Sequence, residues 1–183
     1  IGTNQYIVSS ALGDIKKGIG ILNEIAGVDR IVLVTAGESM QGFGHIGAQV
    51  KNIDTGYPAA LPQMIMKHVL GEVVPAGKTC TDQGVCFLTA EAVASIGEAF
   101  GNGQIPVRKT LTLVTKDGNQ RLIETVIGTP IRDILNRYSV SINEEDRIIF
   151  GGPMAGSAVY SLDHPVLPDT NGIVVIDRSD AAY

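Results

Sequence analysis

Residues 42–47 (G-F-G-H-I-G) match a G-x-G-x-x-G pattern, whose glycine spacing is compatible with binding a phosphate group. Glycines at this spacing let a backbone approach a pyrophosphate at a helix N-terminus, as in dinucleotide-binding proteins. The context does not favour that interpretation, because several residues separate the motif from the preceding apolar run and no acidic residue ends a second strand about 20 positions on. We expect a glycine loop and keep a nicotinamide dehydrogenase as a competing hypothesis. His45, inside this loop, is the histidine to test for function.

A second glycine-rich segment, residues 151–156 (G-G-P-M-A-G), directly follows an apolar run. Glycines placed after a buried strand allow the backbone to come close to another surface or to a ligand. Two interpretations stay open for this loop: a tight turn at the end of the strand, or contact with a flavin-bearing neighbour or partner.

Other reactive side chains form no recognisable centre. Cys80 and Cys86 are spaced C-x5-C, whereas zinc and iron–sulfur sites use tighter pairs, so buried reduced thiols are expected. His68 falls on the apolar face of a predicted helix and is expected in the core, while His164 precedes a proline and predicts a turn. The carboxylates of residues 144–146 predict a solvated turn. No catalytic residue and no metal site is predicted from these motifs.

The first half of the chain shows α/β layering. Helical spacing of apolar residues predicts helices over residues 12–26, 61–70 and 89–100, each followed by glycine. Residues 29–35 (D-R-I-V-L-V-T) are nearly continuous apolar sequence and predict a strand buried on both faces. Residues 85–88 predict a short buried strand.

The second half predicts a hairpin followed by a helix and a returning strand. Residues 108–115 and 120–127 are β-rich runs joined through residues 116–119, which contain Asp-Gly. Asp-Gly is a strong hairpin signal, because both central residues of the favoured two-residue turn need φ > 0. The next strand is expected over residues 147–150. These are the parts of a β-grasp module, which binds ligands or docks partners.

The helix between these strands has its own signals. Thr129 is placed as its N-cap and Pro130 at its first position. Its apolar face is predicted to consist of Ile131, Ile134, Leu135 and Tyr138.

Composition limits the class of protein. The 183 residues are 44% hydrophobic and 18% charged, as in packed soluble proteins, and clustered Gly and Pro at residues 101–106 divide them into predicted domains 1–104 and 105–183. Aromatic residues at 5%, no Trp and a net charge of −5 argue against nucleic-acid partners. No run is long enough to span a bilayer. Low cysteine content favours the reducing cytoplasm, and Ile1 in place of an initiator Met leads us to expect a fragment of a longer chain.

A set of segments from about residue 29 to 175 resembles the C subunit of the Rnf electron-transport complex and, beyond it, the flavin-bearing NADH-binding subunit of respiratory complex I. The order and spacing of the segments carry the resemblance, and they are Tyr57-Pro58 and residues 61–71, 72–77, 82–85, 127–130, 150–154, 162–166 and 170–172. The resemblance implies a Rossmann-like flavin and NADH domain followed by a soluble-ligand-binding β-grasp domain. It implies an oxidoreductase component that moves electrons from NADH through FMN and 4Fe-4S clusters, with other electron-transfer subunits as partners.

This chain departs from the family pattern where the cofactor is held. The family's glycine-rich flavin loop is absent and is expected before Ile1, and the cluster cysteines are expected beyond Tyr183. Residues 59–62 (A-A-L-P) replace a Gly-Gly-Glu-like element and bring no carboxylate, and residues 89–92 (T-A-E-A) replace an Asn-Val-Gly-Thr segment. Such losses fit a diverged relative, such as the proline-reductase-associated electron-transfer protein of anaerobes, better than a standard Rnf subunit.

The resulting hypothesis is an Rnf-C-like electron-transfer fragment, cytoplasmic or at the cytoplasmic face of the membrane through its partners, in which a partial Rossmann-like flavin-domain scaffold precedes the β-grasp domain. FMN and NADH are implied by the family and in doubt for this fragment, and the 4Fe-4S clusters are expected outside it. The positions expected to line any surviving cofactor cleft are Tyr57, Pro58, Thr89, Gly151 and Gly152. The rival hypothesis is a ligand-binding or partner-docking module without a redox cofactor.

Overall fold

The computed structural model describes residues 3–36, 46–152 and 156–180, which form a mixed α/β protein, as expected. The helices are α1 (Thr3–Ser10), α2 (Leu12–Ile25), α3 (Pro62–Ile65), α4 (Ala90–Asn102) and α5 (Ile131–Arg137). The strands are β1 (Val32–Ala36), β2 (Gln49–Ile53), β3 (Arg108–Val114), β4 (Gln120–Val126), β5 (Arg147–Phe150), β6 (Ser157–Val159) and β7 (Gly172–Ile176). A π-helical turn, Met66–Leu70, continues α3, and a 3-10 turn, Thr81–Gln83, precedes α4.

The chain divides into two units. The helical unit is Ala11–Gln104, and the sheet unit combines Ile1–Ser10 with Ile105–Tyr183. The chain therefore crosses from one unit to the other twice, and α1 packs with sequence that follows it by about a hundred positions. The proposed identities of the two domains remain predictions.

Two glycines control the packing of α2 against α4 in the helical unit. A Cβ added to Gly18 would lie 2.0 Å from the carbonyl oxygen of Val93, and one added to Gly97 would lie 1.9 Å from that of Asp14. No real Cβ tolerates such contacts with backbone, so the helices can approach this closely only where both residues are glycine. Ile15 and Ile19, one helical turn apart on α2, are 1% and 3% exposed and complete the buried face.

The ends of these helices follow local rules. The Thr89 hydroxyl accepts a hydrogen bond from the Ala92 N–H at 3.1 Å, so it caps the N-terminus of α4. Gly103, at φ +65°, ends α4, and Gly71, at φ +79°, ends the π-helical turn. The three helices predicted in this half are confirmed.

The strands of this half differ from their predictions. β1 begins at Val32 and is half-buried along its length. Among the described residues its one strand neighbour is β2, which pairs with it in parallel from Val32↔Gln49 to Ala36↔Ile53. Residues 85–88 form no strand, and Phe87 and Leu88 are 37% and 49% exposed. This run pairs with no strand in the described part of the chain, and the Val85 N–H donates to the Cys80 carbonyl in the preceding turn.

His68 is exposed, so its predicted place in the core is wrong. It lies in the π-helical turn, whose wider winding advances each residue by less than the 100° of an α-helix. Ile65 and Met66 take the buried face instead, at 9% and 0% exposure.

The sheet unit contains one five-stranded sheet in the order β4-β3-β7-β5-β6. β3 and β7 are parallel, and the other neighbours are antiparallel. β7 lies in the middle and every one of its residues is buried. α5 covers one face of the sheet in a core that contains Leu111, Leu113, Ile123, Ile131, Ile134, Leu135, Ile148, Val166, Ile173 and Val175, so the predicted apolar face of α5 is confirmed, with Tyr138 partly buried at its margin. On the other face the Thr3 and Thr112 hydroxyls are 2.7 Å apart and hydrogen-bonded.

The predicted hairpin is present, but its turn is different. Thr115 and Asn119 pair through a 3.0 Å N–H···O bond, and the Gly118 N–H donates to the Thr115 carbonyl at 2.8 Å. Gly118 has φ +77° while Asp117 has no positive φ, so this is a three-residue loop with one left-handed position. The Asp117 carboxylate accepts from the Thr115 hydroxyl and the Asn119 amide, which favours the longer loop.

The start of α5 is displaced by one residue from the prediction. Pro130, extended at φ −62° and ψ 145°, is the N-cap, and Thr129 does not cap the helix. The cause is tertiary: Pro130 forms a β-bridge with Pro165, and the Val166 N–H donates to the Thr129 carbonyl at 2.9 Å. This pairing holds residues 129 and 130 extended. β5, by contrast, has the predicted bounds.

Within the described ranges no helix combines the length and the apolar character needed to cross a membrane. The sequence analysis did not assign α1, β2, β6 or β7. Of these, β7 had a signal, because four successive β-branched residues (I-V-V-I) follow Gly172 and precede Asp177.

Replacing Gly97 or Gly18 by Ala should destabilise the helical unit by about 1–3 kcal/mol or more, because the new methyl group forces α2 and α4 apart. The matched controls are Gly13→Ala and Gly20→Ala on α2, where an added Cβ meets nothing within 4 Å and alanine is the better helix former. Urea unfolding followed by circular dichroism at the helix band measures all four. Equal midpoints for Gly97→Ala and Gly20→Ala would contradict the close approach.

Candidate functional site

The first candidate position is the turn that leads into α3. The Tyr57–Pro58 peptide bond is cis, and the Leu61 N–H donates to the Pro58 carbonyl at 2.9 Å. Tyr57 is 74% exposed and Leu61 is 39% exposed. Residues 59–62 contribute small and apolar side chains here and no carboxylate. The turn therefore presents an open surface to which residues 59–62 bring no ionisable group and Tyr57 brings its phenol.

The second candidate, Thr89, is engaged in holding its own helix. Its hydroxyl oxygen accepts the Ala92 N–H at the start of α4. Sequence spacing identified Thr89 as the start of this helix, and the structure gives the hydroxyl this structural role.

The third candidate, the loop at Gly151 and Gly152, closes tightly on itself. The Gly151 N–H donates to the Gly172 carbonyl at 2.8 Å, with φ +91° at Gly151, and the Gly156 N–H donates to the Gly152 carbonyl at 2.7 Å. A Cβ on Gly156 would lie 2.4 Å from the carbonyl oxygen of Phe150. These contacts favour the tight-turn interpretation. Residues 153–155 of this segment lie outside the described residues.

Segments that are distant in sequence meet in the sheet unit. The Gly128 N–H donates to the Val166 carbonyl at 2.8 Å, and the Ile131 N–H donates to the His164 carbonyl at 3.1 Å. The His164 ring lies edge-on to Phe150, with the ring centroids 5.1 Å apart. Four of the segments that carry the family resemblance, residues 127–130, 150–154, 162–166 and 170–172, are therefore joined by backbone hydrogen bonds or this ring contact.

The five predicted cofactor-binding positions are divided between the two units, and their role in binding a cofactor stays a prediction. Tyr57, Pro58 and Thr89 belong to the helical unit, and Gly151 and Gly152 belong to the sheet unit. Two shallow grooves lie elsewhere, one lined by Asn23, Ile31 and residues 46–49, the other by residues 143–146 and 177–179.

Several polar groups at these positions already have partners within their own unit. The Thr89 hydroxyl accepts from the start of α4, the Gly151 N–H donates to Gly172, and the Gly152 carbonyl accepts the Gly156 N–H. In the described ranges no three His, Cys, Asp or Glu side chains are grouped to hold a metal ion. Most of the glycine motif at 42–47 lies outside the described residues, namely residues 42–45, His45 among them.

The two cysteines are free thiols, and their predicted burial is wrong. Cys86 is exposed and Cys80 is half-buried. The reason is the missing strand at residues 85–88, which was expected to carry Cys86 into the core.

One ion pair in the sheet unit is well shielded. Lys116 lies 2.6 Å from an Asp146 oxygen, and the Asp146 side chain is only 3% exposed, so the predicted solvated turn at residues 144–146 is wrong for its last member. The same oxygen accepts the Asn143 N–H at 2.6 Å. Burial raises the pKa of Asp146, but the Asn143 N–H and the Lys116 ammonium outweigh it and hold the pKa below its usual value. Thirty positions separate the partners, so no local pattern signals the pair.

These features define a two-unit α/β protein in which several segments of the family resemblance meet in the sheet unit. Comparison with characterised families adds the identity of its relatives. No family model matches the chain. It is 29% identical to the C subunit of the Na+-translocating ferredoxin:NAD+ oxidoreductase complex of Acetobacterium woodii, over 73% of this chain and 30% of the relative.

Two further relatives cover almost the whole chain. The C subunit of the ion-translocating oxidoreductase complex of Buchnera aphidicola is 23% identical over 98% of this chain and 40% of its own length. The protein of the same name from Methanosarcina acetivorans is 26% identical over 94% of this chain and 45% of its own. The resemblance to the C subunit of the Rnf complex is thereby confirmed. The chain spans less than half the length of these relatives.

Replacing Asp146 by Asn should lower the free energy of unfolding at pH 7 by about 1–2 kcal/mol, because Lys116 loses its charged partner. A carboxyl whose pKa is lowered by folding stabilises the fold above its unfolded pKa and loses that effect as the pH falls through the folded value. The difference between wild type and variant should therefore shrink as the pH falls below about 3.9. Urea unfolding at pH 7 and near pH 3 measures both values.

Glu145→Gln is the control for this prediction, because Glu145 pairs with Arg178 at 3.3 Å with both side chains about 70% exposed. Exposed pairs of this kind contribute little to stability. If the difference in the free energy of unfolding between wild type and Asp146→Asn did not depend on pH, the result would contradict a stabilising ion pair between Lys116 and Asp146.

Proposed function

We propose that this chain is part of an Rnf-C-like electron-transfer protein, which links NADH oxidation to downstream iron–sulfur and flavin carriers. One observation carries the proposal: relatives named as C subunits of oxidoreductase complexes match 91% or more of this chain in several cases, and so extend over both of its units. The relative from Acetobacterium woodii is named for ferredoxin:NAD+ oxidoreduction. Electron transfer between these two carriers is the activity we assign to the assembled complex.

The sheet unit supports the proposal of a soluble-ligand-binding β-grasp domain. Its strands β3 and β7 are parallel neighbours in the sheet. β4, the hairpin partner of β3, lies on one side of them and β5 lies on the other. α5 lies across one face of that sheet. A hairpin, a crossing helix and a returning strand are the parts that the sequence predicts for this domain.

The helical unit supports the proposal of a partial Rossmann-like scaffold. It has one parallel strand pair, β1 and β2, and the packed helices α2 and α4. Parallel strands with flanking helices belong to the doubly wound family of folds. The cofactor contacts of this scaffold are diverged, because residues 59–62 supply no carboxylate and Thr89 caps a helix.

On this proposal the FMN, NADH and 4Fe-4S groups of the family are held outside the described residues of this chain. The chain's own contribution is to position the carriers and to dock the other electron-transfer subunits, at the cytoplasmic face of the membrane. A cofactor protein commonly supplies binding and orientation while the cofactor supplies the chemistry.

A second candidate is a ligand-binding or partner-docking module without any redox cofactor. The observation in its favour is that Gly151 and Gly156 are engaged in packing: the Gly156 N–H donates to the Gly152 carbonyl, and a Cβ on Gly156 would lie 2.4 Å from the Phe150 carbonyl oxygen. The two candidates differ in whether electron flow through the complex requires this chain.

Membranes from cells that lack the gene for this chain should lose most of their ferredoxin-dependent NAD+ reduction, because the carriers are no longer held in sequence. The full-length protein that contains this chain, supplied in trans, should restore the rate, and so should its Gly20→Ala variant, whose added methyl group meets nothing within 4 Å. The rate is followed as NADH absorbance. Undiminished reduction in the deletion strain would remove the electron-transfer proposal and favour the docking module.

The purified chain should not quench added FMN fluorescence in a saturable manner, because residues 59–62 supply no carboxylate and the Thr89 hydroxyl is engaged in capping α4. Tyr57→Ala and Thr89→Val variants are titrated in parallel. Saturable quenching by the wild type that both variants lose would show a working flavin site and overturn the proposal that these contacts have diverged.

A further inference from the structure

β4 is an open edge of the sheet. It pairs with β3 through seven successive residue pairs and has no second strand neighbour in the part of the chain that the structure describes. The 3.0 Å bond from the Thr115 N–H to Asn119 and the 2.8 Å bond from the Ile127 N–H to Val107 fix which pairs exchange hydrogen bonds. Along an antiparallel ladder, residue pairs that exchange hydrogen bonds alternate with pairs that do not. The peptide groups of Leu122, Glu124 and Val126 therefore face away from β3.

This edge carries little of the usual protection against pairing. Natural edge strands carry prolines, bulges or charges, whereas β4 is regular, contains no proline and has Arg121 as its one charge without a carboxylate partner in the described residues. Leu122 and Val126 are 43% and 49% exposed. Glu124, which lies on the same face, has its charge paired with Arg108 at 2.9 Å. The opposite edge strand, β6, is only three residues long.

Two arginines converge beside this edge, on the face that α5 covers. The guanidinium carbons of Arg121, on β4, and Arg137, at the end of α5, each lie 5.8 Å from the ring centroid of Tyr138. Both arginines are exposed, and the described residues provide neither with a carboxylate partner. Two cations that contact one ring repel each other, and a carboxylate bound beside them offsets that repulsion.

We propose that the β4 edge receives an extended, acidic segment of a partner polypeptide as a sixth strand. Strand addition takes its affinity from the main chain and its specificity from alternate side chains. Because the side-chain period of a strand is two, the segment carries carboxylates on the α5 side, against Arg121 and Arg137, and apolar residues beside Leu122 and Val126. This inference goes beyond the proposed function and does not require any redox cofactor.

A second copy of this chain fits the edge less well. On the α5 side β4 presents Arg121, Ile123 and Thr125. None of them is acidic, so an antiparallel β4–β4 pair of this chain would bring more positive charge to Arg137 and no carboxylate. Charge complementarity therefore selects a different, acidic segment.

The probe is a fluorescein-labelled, acetylated and amidated peptide of sequence Thr-Val-Glu-Val-Glu-Val-Thr, titrated with the full chain and read by fluorescence anisotropy. We expect saturable binding that weakens with salt. The double variant Arg121→Glu with Arg137→Glu should bind about fivefold to tenfold more weakly, as two exposed charge contacts predict. Arg178→Glu, which changes an exposed arginine that pairs with Glu145, should bind as the wild type does.

Backbone pairing is tested on the peptide, so that folding of the protein does not enter. N-methylation of either the valines or the glutamates blocks one row of peptide N–H groups. Only one of the two methylated peptides should lose binding, because a single row faces β4. Equal binding of both, or unchanged binding to the double arginine variant, would overturn the proposal.

Self-association is the remaining outcome. Concentration-dependent dimers in sedimentation, unaffected by Arg121→Glu and not competed by the peptide, would assign the edge to a second copy and overturn the proposal. These binding experiments are read independently of the rate of ferredoxin-dependent NAD+ reduction in membranes. Failure of this inference and failure of the electron-transfer proposal can therefore be told apart.

Discussion

The insertion of β7 between β3 and β5 is the constraint on which the rest of the sheet unit depends. Without it, the β3–β4 hairpin and the β5–β6 pair would be two separate ribbons, and two-stranded ribbons are marginally stable in water. β7 pairs in parallel with β3 and antiparallel with β5, and all five of its residues are buried. Because β7 comes from the end of the chain, the sheet forms only when sequence about 60 positions apart has met.

The same insertion places the segments that this chain shares with Rnf C subunits. Asn171, just before β7, accepts the Thr112 N–H and the Thr3 hydroxyl, which brings α1 onto the sheet. Gly172 accepts the Gly151 N–H at the other side of β7. The order of these segments along the sequence carried the family resemblance, and the main-chain hydrogen bonds between them hold the sheet together.

Local sequence was a good guide where the signal and its structural cause are local. Gly71 and Gly103 end helices because left-handed backbone suits glycine, and Thr89 caps α4 through its own hydroxyl. It was a poor guide where a distant partner decides. Pro130 is held extended by its β-bridge to Pro165. Residues 85–88 do not form the predicted strand, because no strand in the described residues pairs with them.

From its sequence alone, this protein was determined to be an α/β chain with a hairpin, a short helix and a returning strand in its second half, and a relative of the Rnf C subunits. Turn chemistry, helical spacing and motif order suffice for such conclusions, since each acts over a few residues or in linear order. Only the tertiary structure decided that α1 packs with the sheet unit, that Asp146 is shielded beside Lys116, and that Arg121 and Arg137 meet at Tyr138. These are contacts between side chains far apart in sequence, whose strength depends on burial and distance, and both quantities exist only once the chain has folded.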